Sequence, residues 1–556
     1  MQSIQCEIFV GIEQGQYNIG HICTRRQCDR GLADHVACRW ISAGGQRQEI
    51  TFGDLERETN RFANVLSTLG FTAGDVLFTL LPKIPEQFIC CLGTLKMQML
   101  CGPLFSNIGD KALADRLREA GAKVLVTRRS ALNKLARIRC GLPELKTILV
   151  TDSDEDIDHG VLSYPRLMRQ MPDSFSPLRT AADTPSFIHF TSGSTGKPKG
   201  VVHCHGSIVS QHATTVEILQ LRPDDIYWCT ADQGWVTGTS YGIIGPWSHG
   251  VTQVHYGGGF SAERWLRLLA DERISVWYTA PTALRMLMND ITSLPESCDL
   301  SALRHIYSVG EPLNPEVIHW TRKVLDRDVY DTWFQTETGA IMIANRPGLD
   351  VRPGSMGRPA TGIKAAIVDD QGCPVNDGTH GMLALKSGWP SMFISYLNNP
   401  QAYEEKFVQG YYLSGDIAAR DGDGYFWFKG RDDDVINTGG HLISPFEIES
   451  VLLEAPEVAE SGVIAVPDAM LYEKIVVFVR LKPDVVASRE LEVRLRLWIS
   501  HRVSSIATPH DLVFVNDIPK NNSGKIMRRI LKSRYLGLDS GDTTTLENSL
   551  NHDGNL

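Results

Sequence analysis

Positive charge is in short supply. Against 65 Asp and Glu the 556-residue chain sets 55 Lys and Arg, a net charge of −10. A protein that grips nucleic acid by its phosphates usually carries a basic excess, so no nucleic-acid partner is expected. Long apolar runs are missing too. None reaches the ~18 residues of a membrane span, and the opening Met1-Gln2-Ser3-Ile4-Gln5-Cys6-Glu7 lacks the charged-then-apolar order of a secretory signal. No internal repeat is visible. The 12 cysteines form no paired C-x-x-C spacing of the zinc type; Cys90 and Cys91 are adjacent and Cys204 lies between two histidines. Free, largely buried thiols in a reducing cytosol are expected, hence a soluble cytoplasmic protein with no membrane partner. With 42% hydrophobic and 22% charged residues the composition is ordinary for a globular protein. At ~150 residues per domain the length allows three or four structural units.

What the chain does have is Thr191-Ser192-Gly193-Ser194-Thr195-Gly196-Lys197-Pro198-Lys199-Gly200. Glycines let backbone N–H groups turn toward one point, and the hydroxyls and lysines add donors. A polyphosphate needs that many donors at once. The kinase-type loop G-x-x-x-x-G-K-[ST] is absent: Thr191 stands at its first glycine, and Pro198 where a magnesium-binding hydroxyl is required. Composition alone also fits a flexible Gly/Ser linker. The apolar flanks Phe187 to Phe190 and Val201-Val202, and the charge, point instead to a loop for a nucleotide triphosphate.

Around this loop helix and strand signals alternate. Thr51 with Asp54 caps a helix whose inner face carries Leu55, Phe62, Val65, Leu66 and Leu69, and Gly70 ends it. Strands are expected at 76–81, 123–127, 147–150, 276–279 and 305–309, and a helix over about 86–97. The rhythm predicts βαβ units and a largely parallel sheet. Near residue 431 the character changes: short strands at 462–466, 475–479 and 512–515 flank an amphipathic helix over about 489–503, which predicts a small α+β domain. The fold class is therefore α/β, a large N-terminal domain of parallel and mixed sheets followed by a small α+β domain. The boundaries are 1–431 and 432–537, with 538–556 a polar, disordered tail.

Three further constellations carry chemistry. Asp331-Thr332-Trp333-Phe334-Gln335-Thr336-Glu337-Thr338-Gly339 sets a carboxylate among hydroxyls and aromatics. Glu337 suits Mg²⁺ on phosphates, and Trp333 and Phe334 suit a wall for a base or small apolar group; a strand end with core aromatics fits as well. Asp416, after Gly415, can accept ribose hydroxyls, and Arg431 can add a donor. The Asp-Gly pairs at 421–424 between them read as a hairpin turn. Finally, Pro519-Lys520-Asn521-Asn522-Ser523-Gly524-Lys525 projects Lys525 from a turn; a phosphate contact and a plain basic surface patch are both open readings.

In this order and spacing the four segments resemble the adenylate-forming (ANL) superfamily of acyl-CoA synthetases, peptide-synthetase adenylation domains and luciferases. The likeness spans about Tyr17 to Leu536. Within the superfamily, Trp228 to Gly238, Ser308 to Glu316 and Asp331 to Trp333 are similar to the bacterial acetyl-CoA synthetase branch. The resemblance implies an AMP-forming acid–thiol ligase. A carboxylate, acetate first and propionate second, attacks the α-phosphorus of ATP with Mg²⁺; the acyl-adenylate then passes to coenzyme A. It also implies the roles. Thr191, Ser192, Gly193, Ser194, Thr195, Gly196, Lys197 and Lys199 follow the outer phosphates. Gly310, Glu311 and Pro312, with Asp331, Thr332 and Trp333, form the adenine pocket. Thr336 and Glu337 meet the α-phosphate and magnesium, and Asp416 and Arg431 the ribose. Lys525 is the catalytic lysine and a target for acylating and deacylating enzymes. Val236, Thr237, Val309 and Phe334 line the acyl pocket, Asp433 is the hinge, and Thr438, Gly439 and Gly440 admit the pantetheine arm. Two departures bear on the thiol. Leu442 and Ser500 stand where many relatives carry arginines that meet phosphate, so a carrier-protein thiol remains an alternative acceptor; separately, another member of the superfamily, a ligase for a different short or branched acid, is an alternative reading.

Overall fold

The computed structural model describes residues 16–191, 198–296, 298–432, 434–438, 441–468, 470–521 and 525–539. The capped helix forms as its sequence dictates, Phe52–Thr68. Thr51 accepts from Asp54 N, and the Asp54 carboxylate reaches back to Thr51 N in a capping box. Leu55, Phe62, Val65 and Leu66 are buried, and Gly70 takes a positive φ of 83° just past the end. Strand Val76–Leu80 lies between two parallel neighbours, Leu100–Leu104 and Val124–Thr127, and Thr147–Val150 continues the sheet. Pro185–Thr191 extends the same sheet beside Leu100–Leu104 and then turns antiparallel into Lys199–Cys204. The strand that leads into the glycine-rich segment is thus an inner strand of an eight-stranded sheet.

A second, larger sheet holds Ile226–Cys229, Val276–Thr279, His305–Val309 and Val329–Trp333 as successive parallel neighbours. Their side chains are nearly all buried, as expected for strands covered on both faces. Beyond Trp333 this sheet becomes antiparallel, through Ile343–Ala344 and Ser355–Pro359 to Phe426–Arg431 and Tyr411–Arg420. The Asp421–Gly424 turn closes the last hairpin: Asp421 accepts from Asp423 N and Tyr425 N.

From Ile436 onward a five-stranded sheet forms its own core with helix Arg489–Arg502 and helix Pro445–Leu453. The sequence expectation of short strands is corrected here. Val458–Asp468 and Tyr472–Leu481 pair over nearly their whole length. Their apolar middles were recognisable, but the polar ends are strand as well, because Glu460 and Arg480 pair across the ladder (3.2 Å). The cysteines among the described residues are free thiols. No described helix is long and apolar enough to cross a membrane. The expected tail beyond Asp539 and the hinge residue Asp433 lie outside the described residues.

Candidate active site

The hairpin that joins Tyr411–Arg420 to Phe426–Arg431 sets Asp416 directly opposite Arg431. Arg431 Nη1 donates to Asp416 Oδ1 (3.0 Å), while Trp333 Nε1 (2.9 Å) and Gln335 Nε2 (3.0 Å) donate to Oδ2. Tyr412 OH donates to Gln335 Oε1 (2.8 Å), which fixes the amide. Asp416 is 4% exposed. A carboxylate offers about four acceptor sites. Three are filled here, so one hydroxyl of a ribose can be accepted without displacing a donor.

Lys525 faces this clamp. It lies in the electrostatic reach of Arg431, Asp434 and Asp416. The residue is open to solvent along the cleft. The mass of protein around the cleft, and then Arg431, hold its ammonium below the usual lysine range. Its backbone N–H donates to Asn521 Oδ1 (2.9 Å). The small domain is tied to the large one beside this point by Lys429 with Glu447 (2.6 Å) and by Asn314 Nδ2 donating to Ser450 Oγ (2.9 Å).

Glu337 sits one turn beyond the clamp. Tyr396 OH donates to its Oε1 (2.8 Å), and Oε2 has no hydrogen-bond partner among the described residues. An oriented carboxylate with one oxygen unengaged fits a magnesium ion, which asks for one or two carboxylates and takes the rest of its oxygens from phosphate and water. The ring of Tyr396 also carries Lys199, whose Nζ lies 5.2 Å from its centroid. The far end of the glycine loop is thereby joined to Glu337. Thr336 offers its carbonyl to His203 Nε2 (2.7 Å). Burial pushes His203 down to about 4, so its ring is neutral at pH 7 and donates from Nε2. Thr191 ends its strand at the loop; Ser192 to Lys197 lie outside the described residues.

The segments expected to form the adenine wall are held in two different ways. Ser308 Oγ donates to Asp331 Oδ1 (2.6 Å), and Thr332 Oγ1 donates to Ser308 O (2.7 Å). Burial pushes the Asp331 carboxyl up to about 7. Gly310 turns with a φ of 91° and has open space where a side chain would stand, leaving room at the strand end. Glu311 is turned away: its carboxylate meets Arg285 (2.5 Å) and Thr282 (2.8 Å). Its place is to anchor helix Pro281–Asp290, and only its backbone remains for a base. Pro312 is partly buried beside it.

The proposed acyl pocket adjoins this wall. Val309 lies across the strand pair from Thr332, Val236 and Thr237 open the short helix Val236–Thr239, and all three are buried. Phe334 meets Tyr241 edge-on at 5.5 Å, and Tyr241 in turn meets Tyr278, whose hydroxyl bonds Thr332 Oγ1 (2.6 Å). His189, two residues before the loop, bonds Thr239 (2.9 Å). The strand Pro185–Thr191, the helix Val236–Thr239 and the strand end at Thr332 to Phe334 are thus one packed unit. Thr438 is far from solvent and opposite Tyr472 in the small domain's sheet; Gly439 and Gly440 lie outside the described residues, as does the side chain of Leu442.

Sequence reasoning assigned no role to Gln335, Tyr396, Tyr412 or His203. Gln335 stood inside a recognised segment. The other three belong to no motif and reach the site only through long-range folding.

Two family models match: "AMP-binding enzyme" over residues 24–397 and "AMP-binding enzyme C-terminal domain" over residues 447–525. Among curated proteins, an acetyl-coenzyme A synthetase of Bacillus subtilis is 42% identical over 96% of this chain and 93% of its own length. One of Pyrobaculum aerophilum is 36% identical over 97% and 86%. Among solved structures, an anthranilate CoA ligase in complex with anthranoyl-AMP superposes with a TM-score of 0.86 at 29% identity, covering 94% of this chain and 98% of that one. A Brucella canis acyl-CoA synthetase gives 0.72 at 32%, over 94% of both chains.

Proposed function

The chain belongs to the AMP-binding enzyme family, and on that premise we propose that it is an AMP-forming acid–CoA ligase whose acid is acetate, with propionate accepted. The observation that carries the reading is the Asp416 clamp with Lys525 facing it. A ribose hydroxyl fits the open acceptor site on Asp416, which sets the α-phosphate between the clamp and the lysine. The ammonium of Lys525 then bridges the entering carboxylate and the α-phosphate as charge moves from one to the other. The carboxylate oxygen bonds to phosphorus as the bond to the bridging oxygen breaks, and pyrophosphate departs with that electron pair. In the second step the CoA thiol gives up its proton, its sulfur bonds the acyl carbon, and AMP leaves with the electron pair of the broken acyl C–O bond.

Glu337, oriented by Tyr396, would hold Mg²⁺, which supplies charge neutralisation on the phosphates. Lys199 and the glycine loop take the outer phosphates. Phe334, Val309, Val236 and Thr237 bound the acyl group; one methylene is worth only ~1–3 kcal/mol in such a pocket, hence the expected propionate activity. The domain division at 431/432, a hinge at Asp433, and delivery of CoA past Thr438 to Gly440 are parts of the same reading. The anthranilate CoA ligase held with its acyl-adenylate supports the two-step route. Because Lys525 is open to solvent, acylating and deacylating enzymes can reach it, and acylation would remove the charge the first step needs. The test is AMP release from ATP with C2 to C6 acids, with and without CoA. Acetate should give the highest rate and CoA should be required; release of ADP, or turnover of a longer acid alone, would overturn the reading.

A further inference from the structure

Lys406 lies in the turn between helix Pro400–Glu404 and strand Phe407–Val408, a segment that carries no recognised motif. The strand pairs with Tyr411 and Tyr412, so the lysine lies beside Tyr412, whose hydroxyl fixes Gln335 of the Asp416 clamp. It is half-buried, and its Nζ makes no hydrogen bond or ion pair with any described residue. Its Nζ lies 6.0 Å from the centroid of the Tyr412 ring, at the outer limit of a cation–π contact. Four charged groups act on it: Glu337, Arg431, Lys199 and Asp416, the residues to which this reading gives metal, ribose and outer phosphates. Burial, opposed by Glu337, holds the ammonium below the usual lysine range.

A half-buried ammonium without a partner is costly. Neither carboxylate within reach pairs with it: Asp416 is bonded by Arg431, Trp333 and Gln335, and Glu337 by Tyr396 at Oε1. Around the clamp Arg431, Lys199, Lys406 and Lys525 thus stand with Glu337, Asp416 and Asp434, four cations to three carboxylates. Such a cluster is built for an anion that arrives later. Adenosine is neutral and has no use for an ammonium, and the α-phosphate is already faced by Lys525. Lys406 shares its field with Glu337 and Lys199, on the side of the glycine loop. We propose that Lys406 is a further phosphate-binding residue, whose ammonium takes the β- and γ-phosphate oxygens of ATP and then holds the departing pyrophosphate. Resting on the adenylating reading above, it names the group that keeps pyrophosphate neutralised from the large domain's side.

The experiment is acid-dependent ATP–pyrophosphate exchange with Lys406→Met, Lys406→Gln and Lys406→Arg, together with AMP binding and thioester formation from supplied acetyl-adenylate and CoA. Met and Gln should each raise the KM for ATP and for pyrophosphate about tenfold, one charge-assisted hydrogen bond's worth. Arg should recover most of the loss. AMP binding and the thioester step should stay within twofold, because neither uses the outer phosphates. Unchanged KM values for ATP and pyrophosphate would overturn the proposal. So would an equal loss of AMP affinity, which would make Lys406 a prop for Tyr412, Gln335 and Asp416 instead. A wild-type enzyme with no exchange at all would instead sink the adenylating reading beneath it.

Discussion

Asp416 and Lys525 face each other across one cleft and are held in opposite ways. The carboxylate is buried and fixed by Arg431, Trp333 and Gln335, the last locked by Tyr412. The lysine stands at an exposed position of a domain with its own core, held locally by Asn521 and the bridge from Lys520 to Ile526. On the function proposed above, the difference separates two tasks. A nucleotide that stays through both half-reactions is best met by groups already in place, which lose no freedom on binding. A group needed for one half-reaction is best mounted on an element that can leave. The comparison predicts that damage at Lys525 divides the two half-reactions, while damage at Asp416 does not.

Lys525→Ala should give the largest effect. Loss of a charge that acts on the transition state costs on the order of 10²–10³-fold, so pyrophosphate exchange should fall by at least ~10²-fold. Thioester formation from supplied acetyl-adenylate should stay near wild type. Equal loss in both assays would erase the contrast. Asp416→Asn comes next. It keeps the shape but leaves Arg431 without its counter-charge and one acceptor facing two donors, at a cost of about 1–3 kcal/mol. The KM for ATP and the affinity for acyl-adenylate should weaken together, by roughly ten- to a hundredfold. If only the first half-reaction suffered, Asp416 would belong with Lys525 and not with the fixed clamp.

Phe334→Gly tests the floor of the acyl pocket and should act more gently. Without the ring that meets Tyr241 edge-on, the cavity deepens. The kcat/KM ratio of butyrate to acetate should rise about tenfold, in line with ~1–3 kcal/mol per methylene. An unchanged chain-length profile would remove Phe334 from the pocket.

The same contrast governs what the sequence could reveal. The clamp's core was readable, since Asp416 and Arg431 flank one hairpin and a turn signal at 421–424 joins them locally. The strands that frame it were not. Register shifts between Ser355 and Gly357, between Met382 and Ala384, and between Ile417 and Ala418 break the alternation of buried and exposed side chains that marks a strand. Helix Phe52–Thr68 was legible to its ends because its cap is a three-residue signal. Tyr396 and His203 had no such signal: they meet Glu337 and Thr336 from 59 and 133 residues away, a pairing that only the packed sheets create. Glu311 shows the reverse case, a motif residue whose side chain the fold commits to Arg285.

The smallest expected effect concerns stability alone and separates the buried wall from the open cleft. Burial raises the Asp331 carboxyl to about 7, against roughly 4 for an unfolded aspartate. Between those values the folded chain keeps a proton that the unfolded chain has released. The folded state's advantage from that proton is complete below pH 4 and is lost as pH climbs to 7. In Asp331→Asn the new side chain does not titrate, and its amide oxygen can still accept from Ser308. The melting temperature of Asp331→Asn minus that of wild type should therefore be lowest below pH 4. It should rise through pH 4 to 7, by the equivalent of a few kcal/mol at most, and level off above. Lys525→Ala, at an exposed position, should show no such slope over that window. A flat difference for Asp331→Asn would mean that the carboxylate is ionised in the folded protein, and the wall beside the nucleotide would then be as wet as the cleft that faces it.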